Sequence, residues 1–298
     1  MLANGGSTSL PIVHAVSREY EAFPGSRYAL PADDEELQRL ILQHNVLKGV
    51  FENKILLAPV QLDANGAVLE IGTGPGRWIL DLADSVDSSI PMVAVDIQSR
   101  MFPASAPTNI DFRVESATHL PSEWTNKFSL VHQRLLMAAL QIADWPVCLR
   151  EIHRVLRPGG WVQLGEFTGW PAGKYPGKPC MEKLVAMYRA MGDARGLYTD
   201  CTQGIGKMLA EAGFVEIQSE ARMTLVGKWA GEAGVANRIN QIGVLRGMKT
   251  PILKAGGFGY VGSEEEFDRL LEGVEKEWDE IPGAQKEFVI FWARKPQV

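Results

Sequence analysis

The sequence is short of the features that mark a nucleic-acid binder, a disulfide framework or a membrane span. Its 30 Lys and Arg are outnumbered by 36 Asp and Glu, for a formal net charge of -6. The basic residues form no stripe of the kind that polyanion binding uses. Cysteine is scarce: Cys148, Cys180 and Cys201 are odd in number and far apart, which fits a reducing compartment and no disulfide scaffold. No Cys-x-x-Cys pair or His/Cys cluster has zinc spacing, so no metal is expected. No apolar run approaches the roughly 20 residues that cross a bilayer. The stretch Met1 to Ser9 lacks both the basic and the apolar parts of a secretory signal. What remains is an acidic, cytoplasmic globular protein with neither nucleic acid nor membrane as a partner. A homodimer stays open.

No internal repeat or long low-complexity segment is present, and 298 residues suffice for a full core. Residues 1–30 read as irregular, with turn signals at Gly5-Gly6 and Pro24-Gly25. Asp33-Asp34-Glu35-Glu36 is a helix start. The apolar positions Leu37, Leu40, Ile41, Leu47, Val50, Phe51 and Ile55 continue it at helical spacing to a stop at Pro59.

From residue 67 the pattern alternates. Short apolar runs at 67–71, 91–96, 110–114, 128–132 and 161–166 read as buried strands. Helical stretches at 77–83 and 145–156 lie between them, and Arg157-Pro158-Gly159-Gly160 reads as a stop and turn before the fifth strand. This alternation implies a doubly wound, mostly parallel sheet, an α/β Rossmann-like architecture. After Glu166 the rhythm changes. A Gly/Pro/aromatic loop at 169–179 is followed by helices at 181–191 and 202–212 and a strand from Phe214. Helix and loop over 229–257, a capping box at Ser263 and a closing strand at 287–293 complete about seven strands. The expected organisation is an amino-terminal lid segment (1–60), a cofactor-binding core (61–168), and the remainder of the sheet with an inserted helical cap (169–298).

The loop Glu70-Ile71-Gly72-Thr73-Gly74-Pro75-Gly76 joins the first strand to a helix, where backbone N–H groups and the helix N-terminus face a ligand. A dinucleotide loop would read Gly-x-Gly-x-x-Gly. Here Arg77 stands at its third glycine, which speaks against NAD. No Gly-Lys-Ser/Thr follows, so the loop is not a P-loop.

The pattern acid-x-Gly-x-Gly-x-Gly, Asp96 ending the second strand, Glu115-Ser116-Ala117-Thr118-His119-Leu120-Pro121 after the third, and Arg150 to Gly160 resemble the class I S-adenosylmethionine-dependent methyltransferases. Tyr28-x-Leu30-Pro31-x-Asp33-x-Glu35-Glu36-x-x-Arg39-Leu40, Gln43-His44, His132-Gln133-Arg134 and the Lys295-Pro296 ending narrow the resemblance. They are similar to fungal secondary-metabolism methyltransferases related to the velvet-complex regulator. The resemblance implies S-adenosyl-L-methionine as cofactor. It assigns Gly72, Thr73, Gly74 and Gly76 to the methionine part, Glu70 to its amino-acid end, Asp96 with Ile97 to the ribose, and Ser116 with Ala117 to the adenine. Ser116 stands where the family usually has an acid. Tyr28 and His132 are further cofactor candidates, and His44 and Arg134 are candidates near the site.

The activity so implied is in-line methyl transfer to O, N or C of a small, largely apolar metabolite. His132 is the leading base and Glu166, ending the fifth strand, the second. The cluster Trp170, Tyr175, Met181, Met187, Tyr188 and Met191 suits an apolar acceptor, although Met at helical spacing more often builds core. Two other readings keep the cofactor: a regulator working through protein partners, and a non-methylating cyclase.

Overall fold

The computed structural model describes residues 18, 20, 29–63, 66–173 and 175–298. Helix α1 (Asp34–Val50) starts as its sequence dictates, with the Asp33 carboxylate accepting the Glu36 amide at 3.0 Å. It ends before the expected Ile55. Glu52 and Asn53 take φ of 54° and 65°, a left-handed step that no right-handed helix continues through. The released segment brings the Ile55 carbonyl to the core, where it accepts Trp78 Nε1 at 3.0 Å and Gln163 Nε2 at 2.9 Å.

Strands β1 (Val68–Ile71), β2 (Met92–Asp96), β3 (Ile110–Val114), β4 (Phe128–Arg134), β5 (Leu156–Phe167), β6 (Val215–Leu225) and β7 (Gln285–Arg294) form one sheet in the order β3-β2-β1-β4-β5-β7-β6. The first five run parallel, and β7 is antiparallel to both neighbours. This is the Rossmann-like α/β sheet that the alternation predicts. Helices α2 (Arg77–Ala83) and α3 (Asp144–Val155) belong to the parallel half. Helices α4 (Pro179–Arg195), α5 (Ile205–Glu211), α6 (Gly231–Gly247), α7 (Lys249–Lys254) and α8 (Glu264–Glu280) follow β5. The strand order reverses beside β1, which pairs β2 on one side and β4 on the other. Sheets of this kind bind ligands outside the carboxyl ends of their strands at that reversal.

Helix α3 stops at Val155 as expected, but Arg157 to Gly160 falls within β5 as a bulge, since Leu156 pairs with Phe128 and Trp161 with Leu130. Gly159, at φ 77°, donates its amide to the Lys295 carbonyl at 3.0 Å, so the end of the chain holds this segment in the sheet.

Three cores result among the described residues. One lies against the sheet around Leu69, Val131, Trp145, Ile152 and Phe214. The second joins α4, α6 and α8 through Leu184, Ile242, Phe267 and Val274, and the third packs α2 on the sheet through Val68, Trp78, Ile79, Leu82 and Leu130. Met181, Met187 and Met191 belong to this second core at 1 % exposure or less, so helical spacing marked packing and not an acceptor pocket. Helix α1 docks on α6 through a buried polar face. Arg39 forks onto Glu36 at 2.8 and 2.6 Å and reaches Asn240 Oδ1 at 2.8 Å.

Candidate active site

A cavity of about 390 Å³ opens where β1, β2 and β4 end, within the range of small-molecule sites. Gly72, Thr73 and Gly74 form its floor, Asp96, Ile97, Ser116 and Ala117 one wall, and Arg134 with Leu136 the other. Its floor is a backbone curl that only glycine takes easily, with φ of 68° at Gly72 and 50° at Gly74. A Cβ at Gly72 would lie 2.7 Å from Leu136 Cδ2, so loop and opposite wall interlock.

Asp96 reaches across from β2. Its Oδ2 accepts the Gly74 amide at 2.8 Å, which ties the ends of β1 and β2 together and leaves carboxylate oxygen at the cavity. Burial pushes this carboxyl upward, opposed by the amides of Gly74, Ile97 and Gln98. Gln98 lines the same wall, and its Oε1 is buried without a hydrogen-bond partner among the described residues. An orphan acceptor beside a carboxylate fits a ligand rich in hydroxyl and amine donors. The Ser116 hydroxyl, also on this wall, lies 3.0 Å from Thr118 Oγ1.

Glu70, Gly76 and His132 do not line the cavity; they brace it from behind. Glu70 accepts Thr73 Oγ1 at 2.6 Å, and burial raises its carboxyl to about 7. His132 Nδ1 faces Glu70 Oε1 at 3.5 Å, and the imidazole lies flat on Trp78 with centroids 3.6 Å apart. Burial, then the nearby Arg134 charge, pushes His132 well down, so the ring is neutral. Gly76 caps α2 at φ 70°, and a Cβ there would meet the Phe112 ring at 2.8 Å. Tyr28 lies outside the described residues.

Glu166 also sits behind the wall. It accepts the Leu136 amide at 2.7 Å and the Met137 amide at 3.4 Å, holding a turn in which Leu135 takes φ 61°. Such a left-handed residue is strained by on the order of 1–3 kcal/mol and persists only when its surroundings hold it. Burial raises the Glu166 carboxyl from 4.5 to about 8. A raised carboxyl keeps its proton in the folded state while the unfolded chain has released it, so stability falls as pH rises from 4.5 toward about 8. Glu166→Gln keeps an acceptor for Leu136 and cannot ionise. Its thermal midpoint should therefore decline less between about pH 5 and about pH 8 than that of the unchanged chain. An undiminished decline would show that Glu166 does not titrate in this window.

Helix α1 contributes Leu40 and Gln43, which were not assigned to the site from sequence, and His44, which was. Leu40 and Gln43 line the cavity. His44 Nδ1 accepts Arg134 Nη2 at 2.8 Å, so its Nε2 carries the proton donated to Asp81 Oδ2 at 3.0 Å. Lys48 Nζ bonds the same Asp81 oxygen at 2.6 Å. Burial and the Arg134 charge push His44 down to about 4, which preserves it as a neutral acceptor. Met101, Gln141 and Asp144 also line the cavity without having been singled out in the sequence. The only available signal was their place just after a strand's carboxyl end.

No group of His, Cys, Asp or Glu able to hold a metal ion occurs among the described residues, and none of their helices is long and apolar enough to cross a membrane.

Residues 68–160 match the family model described as a methyltransferase domain. The chain is 31% identical to methyltransferase grgD of a Penicillium species over 84% of this chain and 89% of that protein. It is 28% identical to N-methyltransferase sirN of Leptosphaeria maculans over 93% and 98%. Among solved structures, a chain of the Haloferax volcanii complex containing the Trm112 methyltransferase activator aligns with a TM-score of 0.51. That alignment has 14% identity and covers 88% of this chain and 95% of that one; it speaks to the fold.

Proposed function

The chain belongs to the S-adenosylmethionine-dependent methyltransferases, and on that premise we propose that it methylates a small, largely apolar metabolite in a cytoplasmic setting. The observation that carries the reading is the glycine curl capped by Asp96 inside a 390 Å³ cavity. S-adenosylmethionine, when bound, supplies a methyl group already activated by its sulfonium. The residues that would hold it are Gly72, Thr73, Gly74, Asp96, Ile97, Ser116 and Ala117, with Gln98 and Arg134 added from the cavity wall. Glu70 acts on this set through Thr73, and Gly76 through the start of α2.

With an activated methyl group, alignment is the protein's main task, worth roughly 7–11 kcal/mol when the reacting atoms are held in line. Leu40, Leu135, Leu136, Ala139 and Leu140 present an apolar wall to the acceptor. The similarity to sirN, named an N-methyltransferase, favours nitrogen over oxygen or carbon. A neutral amine attacks without prior loss of a proton, so no general base is required. His132 and Glu166 lie behind the wall and serve as positioning residues: one fills the space between Trp78 and Glu70, the other holds the Leu135–Met137 turn.

The direct test is incubation with S-adenosylmethionine and a panel of amine, phenol, indole and carboxylic metabolites, read by mass for the gain of one methylene. Failure across the panel, with cofactor binding intact, would favour the regulator. Arg134→Met removes the guanidinium from the cavity and should weaken binding of S-adenosylhomocysteine at least about tenfold, the loss expected for one charge-assisted hydrogen bond. His44→Phe, which removes the acceptor that aims Arg134 and the donor to Asp81 but leaves the guanidinium, should weaken it less. Equal losses in the two variants would contradict this division of roles.

A further inference from the structure

A second cavity, of about 520 Å³, lies on the same carboxyl edge of the sheet, between the loop after β5 and the start of β7. Among the described residues it shares no lining residue with the cofactor cavity. Trp170, Tyr175 and Trp278 wall it, with the Trp170 and Trp278 rings stacked at 5.8 Å and 19°. Among the described residues, Lys178 and Lys286 line it. Lys178 Nζ is engaged by the Ile281 carbonyl at 3.2 Å. Lys286 Nζ instead lies 4.8 Å from the Phe167 ring centroid and 5.0 Å from that of Trp170.

Lys286 forms no ion pair among the described residues. Its sequence neighbour Glu287 takes the Thr168 hydroxyl at 2.9 Å, and Glu166 and Cys201 act on Lys286 only through space. Burial pushes the ammonium down to about 8, as for a desolvated cation whose counter-charge is missing. An aromatic wall beside an unpaired cation complements an aromatic anion, which supplies both apolar contact and charge.

We propose that this second cavity is a binding site for an aromatic carboxylate, its ring packed against the aromatic wall, where Tyr175 stands edge-on to Trp170 at 6.3 Å and 63°, and its carboxylate paired with Lys286. The site takes its ligand independently of the methyl donor, so the proposal stands apart from the methyl-transfer reading.

The test is calorimetric titration of the full chain with 1-naphthoate, and with 1-naphthalenemethanol as the neutral comparator, each with and without S-adenosylhomocysteine. The expected result is a preference for the carboxylate of about tenfold, undisturbed by S-adenosylhomocysteine, lost in Lys286→Met and retained in Lys286→Arg. Equal affinity for the two probes, no binding, displacement by S-adenosylhomocysteine, or an unchanged preference in Lys286→Met would each overturn the proposal. A second measurement needs no variant. Saturating 1-naphthoate should protect Lys286 from acetic anhydride, read by peptide mass spectrometry, and unprotected labelling would also overturn it.

Discussion

Asp96→Ala should weaken binding of S-adenosylhomocysteine by about a hundredfold or more, since a carboxylate accepting two hydroxyls contributes two charge-assisted hydrogen bonds. The substitution has a second effect. It leaves the Gly74 amide, now bonded at 2.8 Å, without its partner, so the loop loses the tie to β2. Asp96→Asn separates the two effects. Its amide oxygen can still accept from Gly74, so the loop should stay closed while the charge is gone, and affinity should fall by an intermediate amount. Thermal stability should drop more in the alanine than in the asparagine variant. Calorimetry of cofactor-product binding together with melting curves checks both statements. Less than about a threefold change in the alanine variant, well below one charged hydrogen bond, would remove Asp96 from the binding site.

The second large effect is on the fold. Trp78→Ala should destabilise the protein by about 3–5 kcal/mol, the range for truncating a buried aromatic, measured as a shift in the denaturant midpoint at constant slope. Trp78 is 1% exposed, stacks on His132 and donates to the Ile55 carbonyl at 3.0 Å. The loss is a large share of the roughly 5–15 kcal/mol that holds a typical domain. The cavity left behind would also free the His132 ring, which lies flat on Trp78 with Nδ1 facing Glu70 Oε1 at 3.5 Å, behind the floor of the cofactor cavity. Cofactor affinity should therefore fall although Trp78 lines none of the cofactor cavity. Trp78→Phe retains a stacking ring and loses only the indole hydrogen bond, so most of the stability should survive. A loss below about 1 kcal/mol in Trp78→Ala, less than a single buried hydrogen bond can contribute, would rule out this supporting role.

The parallel half of the sheet and the glycine loop were legible because both are local. A strand buried on two faces needs an unbroken apolar run such as Val68 to Ile71. A backbone curl with positive φ at Gly72, Gly74 and Gly76 needs glycine within one short segment. Asp96 was legible through its fixed distance from that loop. The capping boxes at Asp33 and Ser263 were legible too, since a cap is made within four residues.

What the tertiary structure decided has partners far apart in the chain. Arg134 enters the cavity aimed by His44, ninety residues earlier. Glu166 became a brace and not a cavity group because the Leu136 and Met137 amides fold back onto it. The methionines at helical spacing went to the second core because α8 covers them, and Arg157 to Gly160 became strand because Lys295 returns to pair with it. Residue type and spacing specify which chemistry a segment can offer. Which side of a wall each side chain ends on depends on contacts between segments, whose pairing is set by burying the whole chain at once.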